Sequence, residues 1–329
     1  MVVVVFDKEL IAHTHWEGHP ESPMRLEALQ RMLEREGLID DHVTAPPLSE
    51  QDLLKVHSQR MIDVVKQGMG VPLDPDTMLR EETFDLACLS AGVAAEAVKR
   101  AAAGEPSIAL TRPPGHHAGP DYSCGFCYFN NVALAVESVG VRTAIVDIDA
   151  HHGNGTQDIF YGREDVLYVS LHEEGIFPGT GRLQEAGEGD GEGYNVNIPL
   201  PHGAGNGAVV EAMERIIVPV VEQFEPEIIV VSLGVDAHYA DRYSTLRINT
   251  QVYLELCEML IGLAKEGRIS FVLEGGYHHR ATSEVIHGII SLLKGEDTFA
   301  EYSDEQNENL SGKDYVQQAV EFHSRYWKL

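Results

Sequence analysis

Two short segments place carboxylate and imidazole side chains at a spacing that suits a metal ion. Asp149 and His151 lie two residues apart in VDIDAHHGNG, and Asp236 follows later in GVDAHYAD. Where a strand ends, side chains two residues apart can point the same way and share one ion. Three protein ligands leave a position for water and substrate, which is typical of a catalytic site. The ligand types favour zinc, one ion per chain, and also suit Fe2+ or Co2+.

A pair of adjacent histidines supplies groups that can move protons. His116 and His117 follow RPPG, whose prolines and glycine restrict the backbone that carries them. One imidazole beside an activated water can act as general base and then as acid for a departing amine. The other can supply positive charge if a buried carboxylate such as Asp147 holds it. Tyr277, in EGGY, can donate its phenol to the oxyanion of a tetrahedral intermediate.

Short runs of β-branched residues predict the strands that position these groups. Their nearly continuous hydrophobicity is typical of strands buried on both faces of a parallel sheet. Helical patterns alternate with them, so we predict one three-layer α/β domain with a doubly wound, mainly parallel sheet. Polar residues follow the strand ends, where such sheets form their sites. The predicted strands span residues 2–6, 107–111, 143–149, 166–172, 228–233 and 269–274, and the predicted helices span 23–36, 84–103, 132–139, 208–224 and 250–265.

The C-terminal part of the chain differs in composition from the rest. Residues 295–308 are rich in acidic side chains and predict a linker, and residues 313–326 predict a closing helix. We therefore assign residues 1–295 to a catalytic domain. Residues 296–329 are assigned to an acidic linker and a C-terminal helix that packs on the same domain.

The composition excludes several classes of function. The 329 residues are 43% hydrophobic, which is enough for a large core, and no segment is apolar for long enough to span a membrane. Lys and Arg number 24 against 52 Asp and Glu, a net charge of −28, so a nucleic-acid partner is excluded. The opening MVVVVFDKEL lacks a basic start and predicts a buried strand rather than a signal peptide, which favours a cytoplasmic protein. The acidity fits either a high-salt cytoplasm or an ordinary acidic enzyme.

With these residues assembled, the chain resembles the histone deacetylase family. The resemblance is closest to its class II and prokaryotic branch, which includes acetylpolyamine amidohydrolases. It covers most of residues 1–295 and is carried by HPESPMR, RPPGHHA, CGFCYFNN, VDIDAHHGNGTQDIF, VSLH, FPGTG, DAHYAD and EGGY. It implies the arginase–deacetylase fold, with a parallel sheet of about eight strands. It also implies a zinc-dependent enzyme that hydrolyses N-acetyl amides to free amine and acetate.

The resemblance assigns roles to individual residues. Zinc would be bound by Asp149, His151 and Asp236. His117 would be the general base and acid, with His116 as its electrostatic partner, and Tyr277 would polarise the acyl carbonyl. Asn154 stands where class I members carry the aspartate that pairs with the second tandem histidine, and class II members share the asparagine. Arg25 would lie near an internal cavity through which acetate leaves. The tunnel that binds substrate would be formed by Gly125, Phe126, Phe177 and Gly275.

Two sites for a monovalent cation, K+ or Na+, are implied by the same resemblance. The first would use side chains or backbone groups of Asp147, Asp149, His151, Ser170 and Leu171. The second would involve Phe160, Val166 and Tyr194. Outside these sets, His13 and His15 either border the tunnel mouth or lie at the surface.

Three questions stay open at the level of sequence. A binuclear manganese ureohydrolase on the same fold would need bridging carboxylates, but Gly153 and Gly234 stand at those positions. A non-catalytic acyl-binding scaffold is a second alternative. The substrate is acetyl-lysine, an acetylpolyamine or another small acyl amide. Tyr243, at the position of a gatekeeper glutamate in a polyamine-selective relative, weakens the polyamine assignment. A homo-oligomer is compatible with all of these.

Overall fold

The computed structural model of the chain describes residues 2–38, 42–68, 72–298, 300 and 311–329. Its strands are β1 (Val3–Val5), β2 (Pro72–Asp74), β3 (Thr77–Met78), β4 (Ser107–Ala109), β5 (Thr143–Asp147), β6 (Val166–Glu173), β7 (Asn195–Leu200), β8 (Ile228–Leu233) and β9 (Ile269–Leu273). Its helices are α1 (Met24–Arg35), α2 (Glu50–Leu53), α3 (Gln59–Gln67), α4 (Thr83–Ala102), α5 (Asn131–Val139), α6 (Asn154–Phe160), α7 (Asn206–Ala212), α8 (Val218–Phe224), α9 (Thr250–Leu263), α10 (His279–Lys294) and α11 (Lys313–His323).

Seven of the described strands form a single sheet in the order β1–β4–β9–β8–β5–β6–β7. Every neighbouring pair in it runs parallel, and every residue of these strands is buried. Burial on both faces explains why the strands are hydrophobic almost without interruption. The predicted α/β class with a mainly parallel sheet flanked by helices is confirmed, with seven strands in the described residues where about eight were expected.

The six predicted strand runs all belong to this sheet, but one strand was missed. β7 has the sequence NVNIPL, in which asparagines interrupt the apolar run. Asn195 and Asn197 are nevertheless buried, and both donate to the side chain of Gln157 in α6. Hydrogen bonds to a neighbouring helix therefore offset the cost of burying these two polar side chains, which had interrupted the apolar pattern expected of a strand.

The order of the sheet reverses between β5 and β8. From β5 the chain moves outward to β6 and β7, and then returns to β8 on the other side of β5 before it forms β9. Sites in open α/β sheets lie outside the carboxyl ends of strands at such a reversal. The loops that follow β5 and β8 carry the three predicted metal ligands, so the topology brings them to one edge.

The C-terminal helix α11 packs against the β7 edge of the sheet. α11 packs on β7 and α7, and the His323 Nε2 atom lies 3.0 Å from the carbonyl oxygen of Asn197. Trp327 donates its indole N–H to the Gly193 carbonyl at 2.9 Å. The closing helix ends at His323 rather than at the predicted Tyr326, and residues 299 and 301–308 of the expected acidic linker lie outside the described residues. None of the helices described is both long and apolar enough to cross a membrane.

Candidate active site

The three predicted metal ligands meet beyond the ends of β5 and β8. His151 Nδ1 lies 3.1 Å from Asp149 Oδ1 and 3.0 Å from Asp236 Oδ2. Ligand atoms that each lie about 2 Å from one zinc ion are themselves separated by about 3 Å. The side chains of Asp149 and Asp236 are buried, and that of His151 is 15% exposed. The arrangement therefore fits one divalent ion with an open side.

Backbone amides fix the two carboxylates from behind. Gly275 donates its N–H to Asp149 Oδ2 at 2.8 Å, and Ala150 donates to Asp236 Oδ1 at 2.9 Å. A Cβ atom added at Gly234 would lie 2.1 Å from Asp149 Oδ2, and one at Gly153 would lie 2.4 Å from an Asp147 oxygen. Side chains have no room at these two positions. The bridging carboxylates of a binuclear manganese centre therefore cannot be placed there.

The first tandem histidine is held as a cation. His116 Nδ1 lies 3.1 Å from Asp147 Oδ2, which also accepts the hydroxyl of Tyr168 at 3.0 Å. Burial lowers the pKa of His116, but the carboxylates of Asp149 and Asp147 outweigh burial and raise that pKa to about 10. His116 is thus a fixed positive charge beside the site, with Asp147 as the partner that the sequence suggested.

The second tandem histidine is neutral. Its Nδ1 lies 2.8 Å from Asn154 Oδ1, and Asn154 in turn donates from Nδ2 to the hydroxyl of Tyr122. That orientation makes Nδ1–H the donor and leaves the Nε2 lone pair of His117 available. Burial, followed by the positive charge on His116, lowers the pKa of His117 well below its usual range. This imidazole is therefore unprotonated at neutral pH, and its lone pair is free for a proton from a neighbouring water.

Tyr277 lines the same cavity as His117. Its ring packs against Tyr243 at 4.7 Å between centroids, and the Arg25 guanidinium lies 5.0 Å from its centroid. Burial raises the pKa of the Tyr277 phenol well above its usual range, so the phenol keeps its proton. Arg25 donates to the carbonyls of Gly276 and Glu274 and thereby fixes the backbone that carries Tyr277.

A cavity of about 400 Å³ leads from the surface to these groups. Phe177 packs edge-on against His117 at 5.0 Å, and a Cβ atom at Gly125 would lie 2.5 Å from the His117 ring. Phe126 faces Tyr277 at 6.0 Å, and the backbone at Phe126 is left-handed with a φ of 68°. The cavity is lined by Asp74, Pro75, Asp76, Pro114, His116, His117, Gly125, Phe126, Asp149, His151, Ile176, Phe177, Tyr243, Gly275 and Tyr277.

The residues expected around monovalent cations occupy neighbouring strands. Asp147 on β5 pairs in register with Ser170 on β6, and Leu171 follows Ser170. In the second set, Tyr194 accepts the backbone N–H of Tyr168 through its carbonyl oxygen at 2.9 Å. Phe160 ends α6 and Val166 begins β6.

The prediction that His13 and His15 lie at the surface or tunnel mouth is wrong. Both side chains are buried, and they face Glu21 Oε2 at 3.5 and 3.1 Å. The other Glu21 oxygen forms an ion pair with Arg112 at 2.6 Å, and Arg25 lies 3.4 Å from it. Two guanidinium groups already exceed the charge of this carboxylate. The cluster is therefore an internal ion-pair network, in which a further cation would be repelled.

Several residues that shape the site were not found from the sequence. Tyr122 and Tyr168 hold the partners of the two tandem histidines, as described above. Glu274 accepts the backbone N–H groups of Gly115 and His116, and Asp241 accepts those of Tyr277 and His278. Glu274 and Asp241 belong to the segments EGGY and DAHYAD. Their place in these segments was the only indication in the sequence that they support the site.

The chain is similar to known proteins over almost its full length. A family model described as Histone deacetylase domain matches residues 19–293. The chain is 37% identical over 327 residues to a histone deacetylase-like amidohydrolase of Pseudomonas aeruginosa, which covers 92% of this chain and 86% of that protein. It is 36% identical over 353 residues to a probable deacetylase of Archaeoglobus fulgidus, with 99% and 98% covered. The crystal structure of the HDA15 HD domain superposes with a TM-score of 0.92 at 32% identity and covers 99% of this chain and 95% of that one.

Proposed function

Because this chain belongs to the histone deacetylase family, we propose that it is a zinc-dependent deacetylase that converts N-acetyl amides to free amine and acetate. One observation carries the proposal. Asp149 and His151 of the ligand triad, a neutral histidine and a protonated phenol line the same cavity, and Asp236 lies directly against His151. These are the groups that amide hydrolysis by an activated water requires. A scaffold that only binds acyl groups would not require the ligand triad, the neutral histidine or the protonated phenol.

The donor set supports zinc as the ion. Two carboxylate oxygens and one imidazole nitrogen suit Zn2+, and Fe2+ or Co2+ would also fit them. Asp149, His151 and Asp236 would hold the ion, and the glycines at 234 and 275 allow the carboxylates to approach each other. When bound, such an ion acts as a Lewis acid that lowers the pKa of a water molecule and polarises an amide carbonyl.

The chain's own residues account for the proton transfers. The Nε2 atom of His117 takes a proton from the attacking water and later returns it to the nitrogen of the departing amine. Tyr277 donates its hydroxyl to the amide oxygen as negative charge develops there. The His116 imidazolium lies at 4.0 Å, ring to ring, from His117 and stabilises the same negative charge.

The substrate presents its acetyl group on an extended chain. The rings of Phe126 and Phe177 line the cavity, and Phe177 is 47% exposed at its mouth. Apolar walls suit the methylene chain of a lysine or polyamine. Tyr243 lies at the position where a polyamine-selective relative has a carboxylate, which favours acetyl-lysine, whereas Asp74 and Asp76 also line the cavity and would suit the cationic end of an acetylpolyamine. Both substrates therefore belong to the proposal, and their rates decide between them.

Two finer assignments belong to the same proposal. Asp147 and Ser170, neighbours across β5 and β6, support a K+ or Na+ site that would fix the strand end before Asp149. The second cation site would use Phe160, Val166 and Tyr194, and Arg25 would border the path by which acetate leaves. We also propose a cytoplasmic location, in line with the acidic composition.

Acetate release from three substrates tests the proposal. An acetyl-lysine peptide, acetylputrescine and acetylspermidine are compared by kcat/KM, with and without a chelator and after zinc is added back. We expect turnover of at least one substrate that is lost with the chelator and restored by zinc. The absence of chelator-sensitive acetate release from all three would favour a scaffold. Restoration by manganese but not by zinc would contradict the assignment of zinc as the ion.

A further inference from the structure

The carboxylate of Asp241 joins the two loops that frame the active-site mouth. Asp241 lies in the loop after β8 and is buried, 8% exposed. Its Oδ2 atom accepts the backbone N–H of Tyr277 at 2.6 Å and that of His278 at 2.8 Å, both in the loop after β9. Its Oδ1 atom accepts the N–H groups of Arg242 and Tyr243 in its own loop. Four backbone donors therefore converge on one carboxylate.

Only a side chain with two acceptor oxygens satisfies this set of donors. Both oxygens accept two N–H groups each, and neither position tolerates a donor. An asparagine would turn its NH2 group toward two backbone N–H groups, whichever way the amide is oriented. The amide would be pushed away from one of the two loops, and buried N–H groups would lose their acceptor.

The position of these bonds relates Asp241 to Tyr277 in particular. The carboxylate holds the N–H of Tyr277 itself, while Arg25 holds the carbonyls of Gly276 and Glu274 on the same loop. Gly276 has a φ of 118°, a backbone conformation that glycine adopts readily. Because glycine restricts the backbone less than other residues, Gly276 by itself does not hold this segment in one conformation. The loop thus depends on fixed partners to direct the phenol into the cavity.

We propose that Asp241 is a positioning residue for deacetylation, which sets the place of the Tyr277 hydroxyl by clamping the loop after β9 to the loop after β8. The same carboxylate holds Tyr243, whose ring packs on Tyr277 at 4.7 Å, so the mouth and the phenol are fixed together. Asp241 acts through Tyr277 and does not itself contact substrate. The inference rests on the proposed function.

A double-mutant cycle tests this role. Asp241→Asn, Tyr277→Phe and the double variant are compared by kcat and KM at a temperature well below their unfolding transitions. A small misplacement of a reacting group can cost about 10²-fold in rate, so we expect kcat of Asp241→Asn to fall about 10- to 100-fold, with KM changed by less than about 3-fold. In the Tyr277→Phe background the same substitution should change kcat by less than about 3-fold, because the group that it positions is absent.

Glu173→Gln is the matched control. Glu173 is also a buried carboxylate that fixes a loop, since it accepts the N–H of Thr245, but it does not contact the Tyr277 loop. We expect it to lower the melting temperature while kcat stays near that of the wild type. If Asp241→Asn does not fold, Asp241→Glu, which keeps both acceptor oxygens but lengthens the side chain, is measured in its place.

The outcomes separate the inference from the proposed function. A wild type without deacetylase activity contradicts the function. An active wild type in which the Asp241 substitution lowers kcat equally with tyrosine or phenylalanine at 277 overturns the positioning role. A loss confined to stability or KM overturns it as well.

Discussion

The tandem histidines show how two adjacent residues of the same type acquire different charge states. His116 faces the Asp147 carboxylate, whereas His117 faces the neutral amide of Asn154. The pKa of His116 is raised to about 10, and that of His117 is lowered, by burial first and then by the charge on His116. The partner of each ring therefore decides which one is a fixed cation and which one can accept a proton.

Tyr277→Phe removes the one hydroxyl that we assign to the amide oxygen. The expected result is a fall in kcat of about 10²- to 10³-fold, as for a single oxyanion donor, with little change in KM. Steady-state acetate release measures it. Tyr243→Phe is the control, because its ring packs on Tyr277 while its side chain is 43% exposed. A wild-type rate in Tyr277→Phe would disprove the role of the phenol.

Gly234→Ala places a Cβ atom 2.1 Å from Asp149 Oδ2. The carboxylate must move, so we expect zinc affinity to fall by about 10- to 100-fold, the usual cost of disturbing the support of a metal ligand. Competition with a chromophoric chelator measures that affinity. Gly262→Ala in α9 is the matched control, because nothing lies within 4 Å of its added Cβ atom. Equal zinc affinities in the two variants would contradict the packing argument.

Much of this site could be predicted from the sequence because its residues lie in short segments at strand ends. Asp149 and His151 are close in the chain, and Asp236 occupies the equivalent place after another strand. The supporting contacts could not be predicted in the same way. Tyr122 reaches Asn154 across 32 positions, and Asp241 reaches Tyr277 across 36, so only the folded chain shows which side chains meet.

At the scale of elements, polar side chains inside the fold limited what the sequence pattern revealed. β7 was missed because asparagine is more typical of loops than of buried strands. In the folded chain, Asn195 and Asn197 both donate hydrogen bonds to Gln157, which makes their burial possible. α10 was also missed, although it begins only two residues after Tyr277, with His278 as its N-cap. The hydrophobic strands, whose residues are buried on both faces, were all found.

His57 gives one connection between elements a defined pH dependence. Its Nδ1 donates to the Gly119 carbonyl, and its Nε2 accepts the N–H of Asn130, the N-cap of α5. Burial lowers the pKa of His57 to about 4, below the roughly 6.5 of an unfolded histidine. Between these values the unfolded chain binds a proton that the folded chain does not, so stability is lost as pH falls from about 6.5 to about 4.

His57→Gln should reduce that dependence, because an amide can still donate and accept but does not titrate. The full pKa shift corresponds to a loss of about 3 kcal/mol in unfolding free energy between pH 7 and pH 4. We expect His57→Gln to lose less unfolding free energy than the wild type over this pH range, by most of that amount. Urea denaturation at several pH values measures it. His287→Gln, at a side chain 38% exposed, is the control. Parallel pH profiles for wild type and His57→Gln would refute the assignment.

At the scale of the whole molecule, the dominant property is charge. A net charge of −28 on 329 residues creates repulsion between surface carboxylates, which destabilises the compact state. Salt screens such repulsion, with a Debye length that falls from about 10 Å at 0.1 M to about 3 Å at 1 M. We expect the melting temperature to rise by several degrees over that range of KCl. A melting temperature that falls or stays constant would show that the charges do not limit stability.

The central claim is that Asp149, His151 and Asp236 hold the ion on which deacetylation depends. Its most direct test is the titration of metal-free enzyme with zinc, followed by acetate release from an acetyl-lysine peptide, for wild type and Asp236→Asn. The account predicts that wild-type activity rises from near zero and levels off at one equivalent, while Asp236→Asn stays at least about 100-fold lower at the same zinc concentrations. Full activity in the metal-free wild type, or its recovery in Asp236→Asn at one equivalent, would contradict the account.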